Sequence, residues 1–173
     1  MPRRLTRRGF TLIELITVMA ILGITGVAVV GGTLTYLGEI RSRAAASRLT
    51  ADVRYAQRLA LASSRRTWIV FNVVQNSYQL FVENSSNPGK ANRIALERPI
   101  DQSSDQMTFG NSAFTGVSIA SANINSTSEL EFDSFGAPYD GNSVALAANA
   151  VVTLSNGVTA TIVPVTGFVE RAG

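Results

Sequence analysis

The stretch Arg7-Arg8-Gly9-Phe10-Thr11-Leu12-Ile13-Glu14 introduces the apolar segment around which the chain is organised. After Glu14 the next charged residue is Glu39, and the residues between them are largely aliphatic. A bilayer core requires about 20 apolar residues, so this run is long enough to cross one. A carboxylate within hydrocarbon costs about 2.5 to 3.5 kcal/mol on insertion scales. The place of Glu14 near the start of the run therefore requires a physical reason.

Three interpretations of this stretch compete. A secretory signal peptide would explain the basic start. However, the apolar run exceeds the roughly 7 to 15 residues of an ordinary signal-peptide core, and no small-residue cleavage site follows it. A plain membrane anchor would place Glu14 near the interface. The third interpretation is a leader that is cut before the apolar run, so that the run stays in the mature protein.

The octapeptide resembles the class III leader of type IV pilins and type II secretion pseudopilins, on both sides of the cut and at the acid. The resemblance implies that a prepilin peptidase cleaves after Gly9 and methylates the new amino terminus at Phe10. Residues 1–9 are then the leader, and residues 10–38 are a transmembrane helix that forms the filament core. The expected partners are the prepilin peptidase, other pilins or pseudopilins in a filament, and the membrane.

Cleavage would leave an ammonium group on Phe10, four residues before Glu14. Buried charges persist when they are paired. In a parallel, axially staggered stack of subunits, Glu14 of one subunit can neutralise the Phe10 amine of its neighbour. We therefore predict that Glu14 is an assembly contact, as the resemblance also implies. In the competing interpretation, Glu14 stays protonated or reaches the lipid headgroups.

The net charge of +3 would suggest a nucleic-acid partner, but its distribution does not. Four of the 15 Lys and Arg residues lie in the leader, which leaves 11 against 12 Asp and Glu, a net side-chain charge of −1. Because basic flanks stay cytoplasmic, everything after the span is expected on the far side of the membrane. The sequence thus predicts a single-pass protein of the bacterial inner membrane, with its head in the periplasm or at the cell surface.

The remaining charge is unevenly spread. Residues 41–66 contain seven arginines and one acid, whereas residues 67–173 contain four bases and nine acids. We favour solvated faces as the explanation, and head-to-stalk contacts between subunits are the alternative.

The hydrophobic pattern predicts one helix over residues 10–64, followed by a β-rich head over residues 67–173. Between residues 39 and 66 apolar side chains recur every three or four residues and form a stripe that would pack on a sheet: Ile40, Ala44, Ala45, Leu49, Val53, Ala56 and Leu59 or Ala60. Strands are predicted over 67–74, 77–82, 93–96, 106–109, 117–120, 129–132, 150–155 and 158–163. Two hairpins are expected, with turns at Gln75-Asn76 and Asn156-Gly157, the latter of type I′. The expected fold is α+β, with the long helix packed on antiparallel sheet, as in type IV pilins.

Three further segments resemble the GspH/FimT family of minor pilins and pseudopilins: residues 43–49, 56–66 and 130–136. The chain has no cysteine, so it cannot close the C-terminal disulfide loop found in many major pilins. That absence favours a minor pilin or pseudopilin.

The sequence predicts no catalytic residue, no cofactor and no metal site. Without histidine or cysteine, a histidine-based triad and a thiol nucleophile are unavailable. Glu129, Glu131 and Asp133 would share one face of a strand, where we expect a solvated edge rather than a calcium site. Asp140-Gly141-Asn142 is interpreted as a turn.

The predicted function is structural: a minor pilin or pseudopilin that helps initiate or cap a type IV pilus or type II secretion pseudopilus. The alternative is a FimT-like minor pilin that captures DNA for a competence pilus. Such proteins carry an arginine-rich C-terminal tail, but residues 167–171 here hold one arginine and one acid. Nucleic acid is therefore the less favoured partner.

Overall fold

A computed structural model describes residues 10–110 and 114–172 of the chain. One long helix, α1 (Leu12–Ser63), precedes ten strands. The strands are β1 (Thr67–Asn72), β2 (Ser77–Val82), β3 (Ile94–Ala95), β4 (Met107–Thr108), β5 (Ile119–Asn123), β6 (Glu129–Phe132), β7 (Pro138–Asp140), β8 (Ala150–Leu154), β9 (Thr159–Ile162) and β10 (Val169–Ala172). The chain divides between Leu37 and Gly38 into two compact units.

Helix α1 agrees closely with the predicted helix over residues 10–64. It contains no proline, and alanine and leucine are frequent in its second half, which favours helix. The helix ends where Ser64 adopts a left-handed φ of 52°, the conformation that commonly terminates a helix.

The buried face of α1 partly matches the predicted stripe. Six apolar residues are completely or almost completely buried: Ala45, Ala46, Leu49, Val53, Ala56 and Ala60. The prediction is wrong at Ile40, which is 44% exposed, and at Ala44, which is exposed. Two polar residues of the helix, Ser42 and Asp52, are also buried: the Ser42 hydroxyl lies 3.3 Å from the Ser155 hydroxyl in the turn between β8 and β9, and Asp52 accepts a hydrogen bond from Tyr78 on β2.

Within the described residues, the strands form two antiparallel sheets. The first has the order β3-β2-β1-β6-β7, with β4 also paired to β2. The second has the order β10-β9-β8-β5. Apolar side chains of both sheets join those of α1 in one core, and Trp68, Leu80, Leu130, Val152 and Ile162 are fully buried in the head. The predicted α+β fold, with the helix packed on antiparallel sheet, is confirmed.

Both predicted hairpins are present. In the first, the strand predicted to reach Val74 ends at Asn72, because the Asn72 side chain accepts a hydrogen bond from the Gln75 N–H at 2.9 Å and turns the chain. Val74 is left 96% exposed. Between β8 and β9, Asn156 (φ 62°) and Gly157 (φ 74°) have the two positive φ angles that a type I′ turn requires.

One side chain of α1 links loops that belong to different sheets. The Gln57 amide donates hydrogen bonds to the Gly136 carbonyl at 2.9 Å, beyond β6, and to the Thr166 carbonyl at 2.7 Å, between β9 and β10. Gly167 has a φ of 62°, and a Cβ there would lie 2.5 Å from Gln57 Nε2 and 2.8 Å from the Phe132 ring. Glycine is therefore required at position 167 both by conformation and by space.

Candidate functional site

The first turn of α1 is capped by its own sequence. The Glu14 N–H lies 3.3 Å from Thr11 Oγ1, and the Leu15 N–H donates to the Thr11 carbonyl at 3.2 Å. Thr11 therefore occupies the N-cap and Glu14 the third helical position, the order of a capping box. The positive end of the helix dipole favours a carboxylate in this first turn. This role of Thr11 was not predicted, although the Thr-x-x-Glu spacing before an apolar run signals it.

The predicted processing and assembly residues lie at this helix start. Gly9 is outside the described residues. Phe10 directly precedes the cap and is 80% exposed, and Glu14 is also exposed. The described structure thus presents Phe10 and Glu14 about one helical turn apart and open to a partner.

Apolar side chains surround the first part of α1 with no contact that buries them. Those from Leu12 to Ile24 are between 46% and 77% exposed: Leu12, Ile13, Leu15, Ile16, Val18, Met19, Ile21, Leu22 and Ile24. A helix that is hydrophobic all round needs burial in another protein layer or in lipid. The described segment therefore presents a surface that this chain does not cover.

The polar side chains of the same segment are satisfied internally, with one exception. The Thr17 hydroxyl donates to the Ile13 carbonyl at 2.8 Å, and the Thr25 hydroxyl donates to the Ile21 carbonyl at 2.9 Å. Such back-bonding satisfies the hydroxyl groups within the helix itself. Over residues 12–25 of the described chain, the Glu14 carboxylate is the polar side-chain group for which no hydrogen bond or ion pair is seen.

By hydropathy and length together, none of the helices that the structure describes qualifies as a membrane span.

Most arginines of residues 41–66 contact the head through part of the guanidinium group, while five of the seven remain exposed, so solvation and contact with the head occur together. Arg54 donates to the Val169 carbonyl at 2.7 Å, and Arg66 pairs with Glu131 at 3.1 Å. Among the described residues, Arg58 is exposed and has no hydrogen bond or ion pair. The arginines of this helix segment thus mainly bond the helix to the head.

Asp52 is the centre of a buried polar cluster. Its Oδ2 atom accepts a hydrogen bond from the Tyr78 hydroxyl at 2.6 Å and another from Arg48 Nε at 3.1 Å. Arg48 also lies 3.1 Å from Asp101, which in turn pairs with Arg98 at 3.0 Å. Burial, then the charge of Asp52 and the hydrogen bond to it, raise the pKa of the Tyr78 hydroxyl well above its ordinary value. The cluster joins the helix to β2 and to the loop between β3 and β4.

The row of acids on β6 is not a solvated edge, and that expectation is wrong. Glu131 is 2% exposed and accepts hydrogen bonds from Arg66 and from the Ser143 hydroxyl at 2.8 Å. Glu129 pairs with Lys90 and Arg93. No group of three metal-binding side chains lies together in the described ranges.

The predicted turn after β7 is built around Asp140. Its Oδ1 atom accepts the N–H groups of Asn142 at 2.8 Å and Val144 at 2.9 Å, and its Oδ2 atom accepts the Asn125 amide at 2.8 Å. Burial alone would raise the pKa of this carboxyl, but these hydrogen bonds and the charge of Lys90 hold the pKa below its usual value.

Residues 4–30 match the family model of the prokaryotic N-terminal methylation motif, the signal of type IV pilin-class prepilins. This motif indicates a type IV pilin-like precursor, either a pilin or a pseudopilin. It points to a structural protein that a prepilin peptidase processes and that assembles with other pilins. No curated protein matches the chain, and no solved structure matches it.

Proposed function

We propose that the chain is a minor pilin or pseudopilin of the GspH/FimT type. It would help to initiate or cap a type IV pilus or a type II secretion pseudopilus. The observation that carries the proposal is the start of α1, where an exposed, all-round apolar helix holds a single acid without a partner among the described residues. The methylation motif over residues 4–30 covers the same segment.

Processing prepares this segment for assembly. Prepilin peptidase cleaves between Gly9 and Phe10 and methylates the Phe10 amine, which keeps its positive charge. In a staggered bundle of parallel helices, the Glu14 carboxylate of one subunit pairs with the Phe10 ammonium of the next. Pairing offsets the cost of placing either charge in an apolar core. The Thr11 cap supports this geometry because it starts the helix within one turn of Glu14.

The proposed organisation follows from that pairing. Residues 10–38 span the inner membrane once and become the filament core after extraction. Residues 39–66 continue the helix into the head, and residues 67–173 form the head, in the periplasm or at the cell surface. The protein has a structural rather than an enzymatic role, and other proteins drive extraction from the membrane.

Replacement of Glu14 by Ala tests the proposal. We expect normal cleavage after Gly9, shown by mass spectrometry of the protein from its native membrane, with loss of incorporation into sheared filaments. Glu39→Gln is the matched control, because Glu39 lies on the same helix and is paired with Arg43 at 2.7 Å. Filaments that contain Glu14→Ala at the wild-type level would contradict the assembly contact. An uncut terminus at Met1 would contradict the processing step.

A DNA-capturing minor pilin is the second candidate. It is supported by the exposed Arg58 and by Arg54 and Arg171, which lie beside the same face of α1. Phosphate binding by clustered arginines weakens steeply with salt. A gel shift of labelled duplex DNA by the full chain in detergent, abolished by Arg58→Gln and by raised salt, would favour this candidate over the first. Absence of a shift at low salt would exclude it.

A further inference from the structure

A groove of about 330 Å³ lies between α1 and the last strand of the head. Ser47 and Ala51, one helical turn apart, are small residues on its helical side, and Arg54 and Arg171 line it from the helix and from β10. Arg171 and Val169 alternate with Glu170 along β10, so Arg171 shares the strand face that buries Val169. The groove therefore brings together two guanidinium groups that are far apart in sequence.

Each arginine is held in place by one of its nitrogen atoms. Arg54 Nη2 donates to the Val169 carbonyl at 2.7 Å, and Arg171 Nη1 donates to Ser47 Oγ at 2.7 Å. Arg54 is also 5.5 Å from the centre of the Phe168 ring. A guanidinium carries five N–H donors, so each side chain keeps further donors after these contacts. Fixed guanidinium forks are suited to planar oxyanions.

Thr50 is a buried polar residue beside the groove. It lines the groove and is only 6% exposed, yet its hydroxyl has no hydrogen-bond partner among the described residues. Buried hydroxyl groups are normally bonded, and an unbonded one calls for an explanation. The Thr50 oxygen itself is shielded from solvent, so its side chain would have to rotate to offer the hydroxyl to a group in the groove.

We propose that this arginine groove binds a carboxylate side chain from a second copy of the chain. The inference rests on the proposed assembly function and adds a contact between heads to it. The carboxylates that fit the groove by charge are those of Glu97 and Asp105. Both residues are exposed in the loop between β3 and β4, and no hydrogen bond or ion pair of either carboxylate is seen in the described chain. The mature net charge of −1 disfavours a polyanion as the occupant.

The test is self-association of the full chain in detergent, measured by sedimentation at low and at high salt. We expect Arg54→Gln with Arg171→Gln to weaken association by about tenfold, the effect of losing a charge-assisted contact worth about 1.4 kcal/mol. Arg58→Gln is the matched control, because it removes a cation from the same helix outside the groove and should leave association unchanged. Lys at positions 54 and 171 keeps the charges and should restore association only in part, since it lacks the fork.

Charge reversal in the exposed loop tests the contact without any substitution in the groove, so the result does not depend on whether groove variants fold. Glu97→Arg with Asp105→Arg alters only the exposed loop and should weaken association to a similar degree. Mixing that protein with Arg54→Glu and Arg171→Glu should restore it. Equal loss in Arg58→Gln, no loss in either double variant, or saturable binding of an oligonucleotide that needs Arg54 and Arg171 would each overturn the inference. Filament entry that depends on Glu14 but not on the groove would leave the proposed function intact.

Discussion

The two halves of α1 hold the same residue types in opposite environments. Leu15 is 54% exposed, whereas Leu49 is fully buried against the sheets. Over residues 12–24 apolar side chains point in every direction, and over residues 45–60 they form one buried face. The second half is thus matched to sheets that this chain supplies. The first half displays apolar area for which the described chain supplies no partner, and that difference is the physical basis of an assembly role.

Truncation of a leucine in each half gives the largest expected contrast. Leu49→Ala should lower the free energy of unfolding of the head by about 3 kcal/mol, because it removes buried methyl groups and leaves a cavity. Leu15→Ala should leave that free energy unchanged. Denaturant unfolding of the full chain in detergent, followed by the fluorescence of Trp68, measures both, because Trp68 is the single tryptophan and is fully buried in the head. Equal effects of the two variants would contradict the contrast.

Removal of a tyrosine hydroxyl tests whether polar groups in the two halves differ in the same way. Tyr78→Phe should cost about 2 kcal/mol, since it removes a hydrogen bond to the buried charge of Asp52. Tyr36→Phe is the control, because Tyr36 is 64% exposed and should change the unfolding free energy little. The same Trp68 fluorescence assay applies. A Tyr78→Phe protein as stable as the wild type would show that the Asp52 cluster contributes no net stability.

Acid should weaken the head through Asp140. The folded pKa of this carboxyl is below its unfolded value of about 3.9, so its contribution to stability is present above that value and is lost as the pH falls through the folded pKa. Asp140→Asn keeps an acceptor for the Asn142 and Val144 N–H groups but does not titrate. Unfolding measured between pH 5 and about pH 2 should therefore depend less steeply on pH in the variant. An unchanged slope would assign the acid sensitivity to other carboxyls.

The smallest effect is expected at the exposed pair of Glu39 and Arg43. Both side chains are about half exposed, and pairs of this kind one helical turn apart contribute about 0.3 to 0.5 kcal/mol. Glu39→Gln should lower stability by no more than that amount, and the loss should vanish in about 1 M salt, where surface charges are screened. A loss that persists in high salt would indicate a packing role for Glu39.

Elements that carry a local signal could be predicted from the sequence. β6 was predicted over its observed residues, and both hairpins follow from their alternating strands and turn residues. β7 was missed because it begins at Pro138, which argues against a strand, and β10 was missed because Glu170 and Arg171 are charged. These two strands gain their place from pairing with β6 and β9, which no local pattern reveals.

The candidate sites also differ in whether a local sequence signal predicts them. The proposed cleavage and assembly segment was predicted from eight consecutive residues and their spacing, and its roles stay a prediction. The arginine groove could not be predicted in this way, because its guanidinium groups come from positions 54 and 171 and meet only when β10 lies beside the helix. The burial of Asp52 was not predicted for a related reason. An acid on a helix is normally assigned to the solvated face, and Asp52 is buried because it is paired with Arg48 on the same helix and with the Tyr78 hydroxyl, which is distant in sequence.

Within the described residues, the two sheets have no backbone pairing with each other, and the Gln57 amide ties a loop of one to a loop of the other. The buried part of helix α1 thus contacts both sheets. A force on the buried part of this helix would act on both sheets at once, because apolar side chains of both sheets share one core with it.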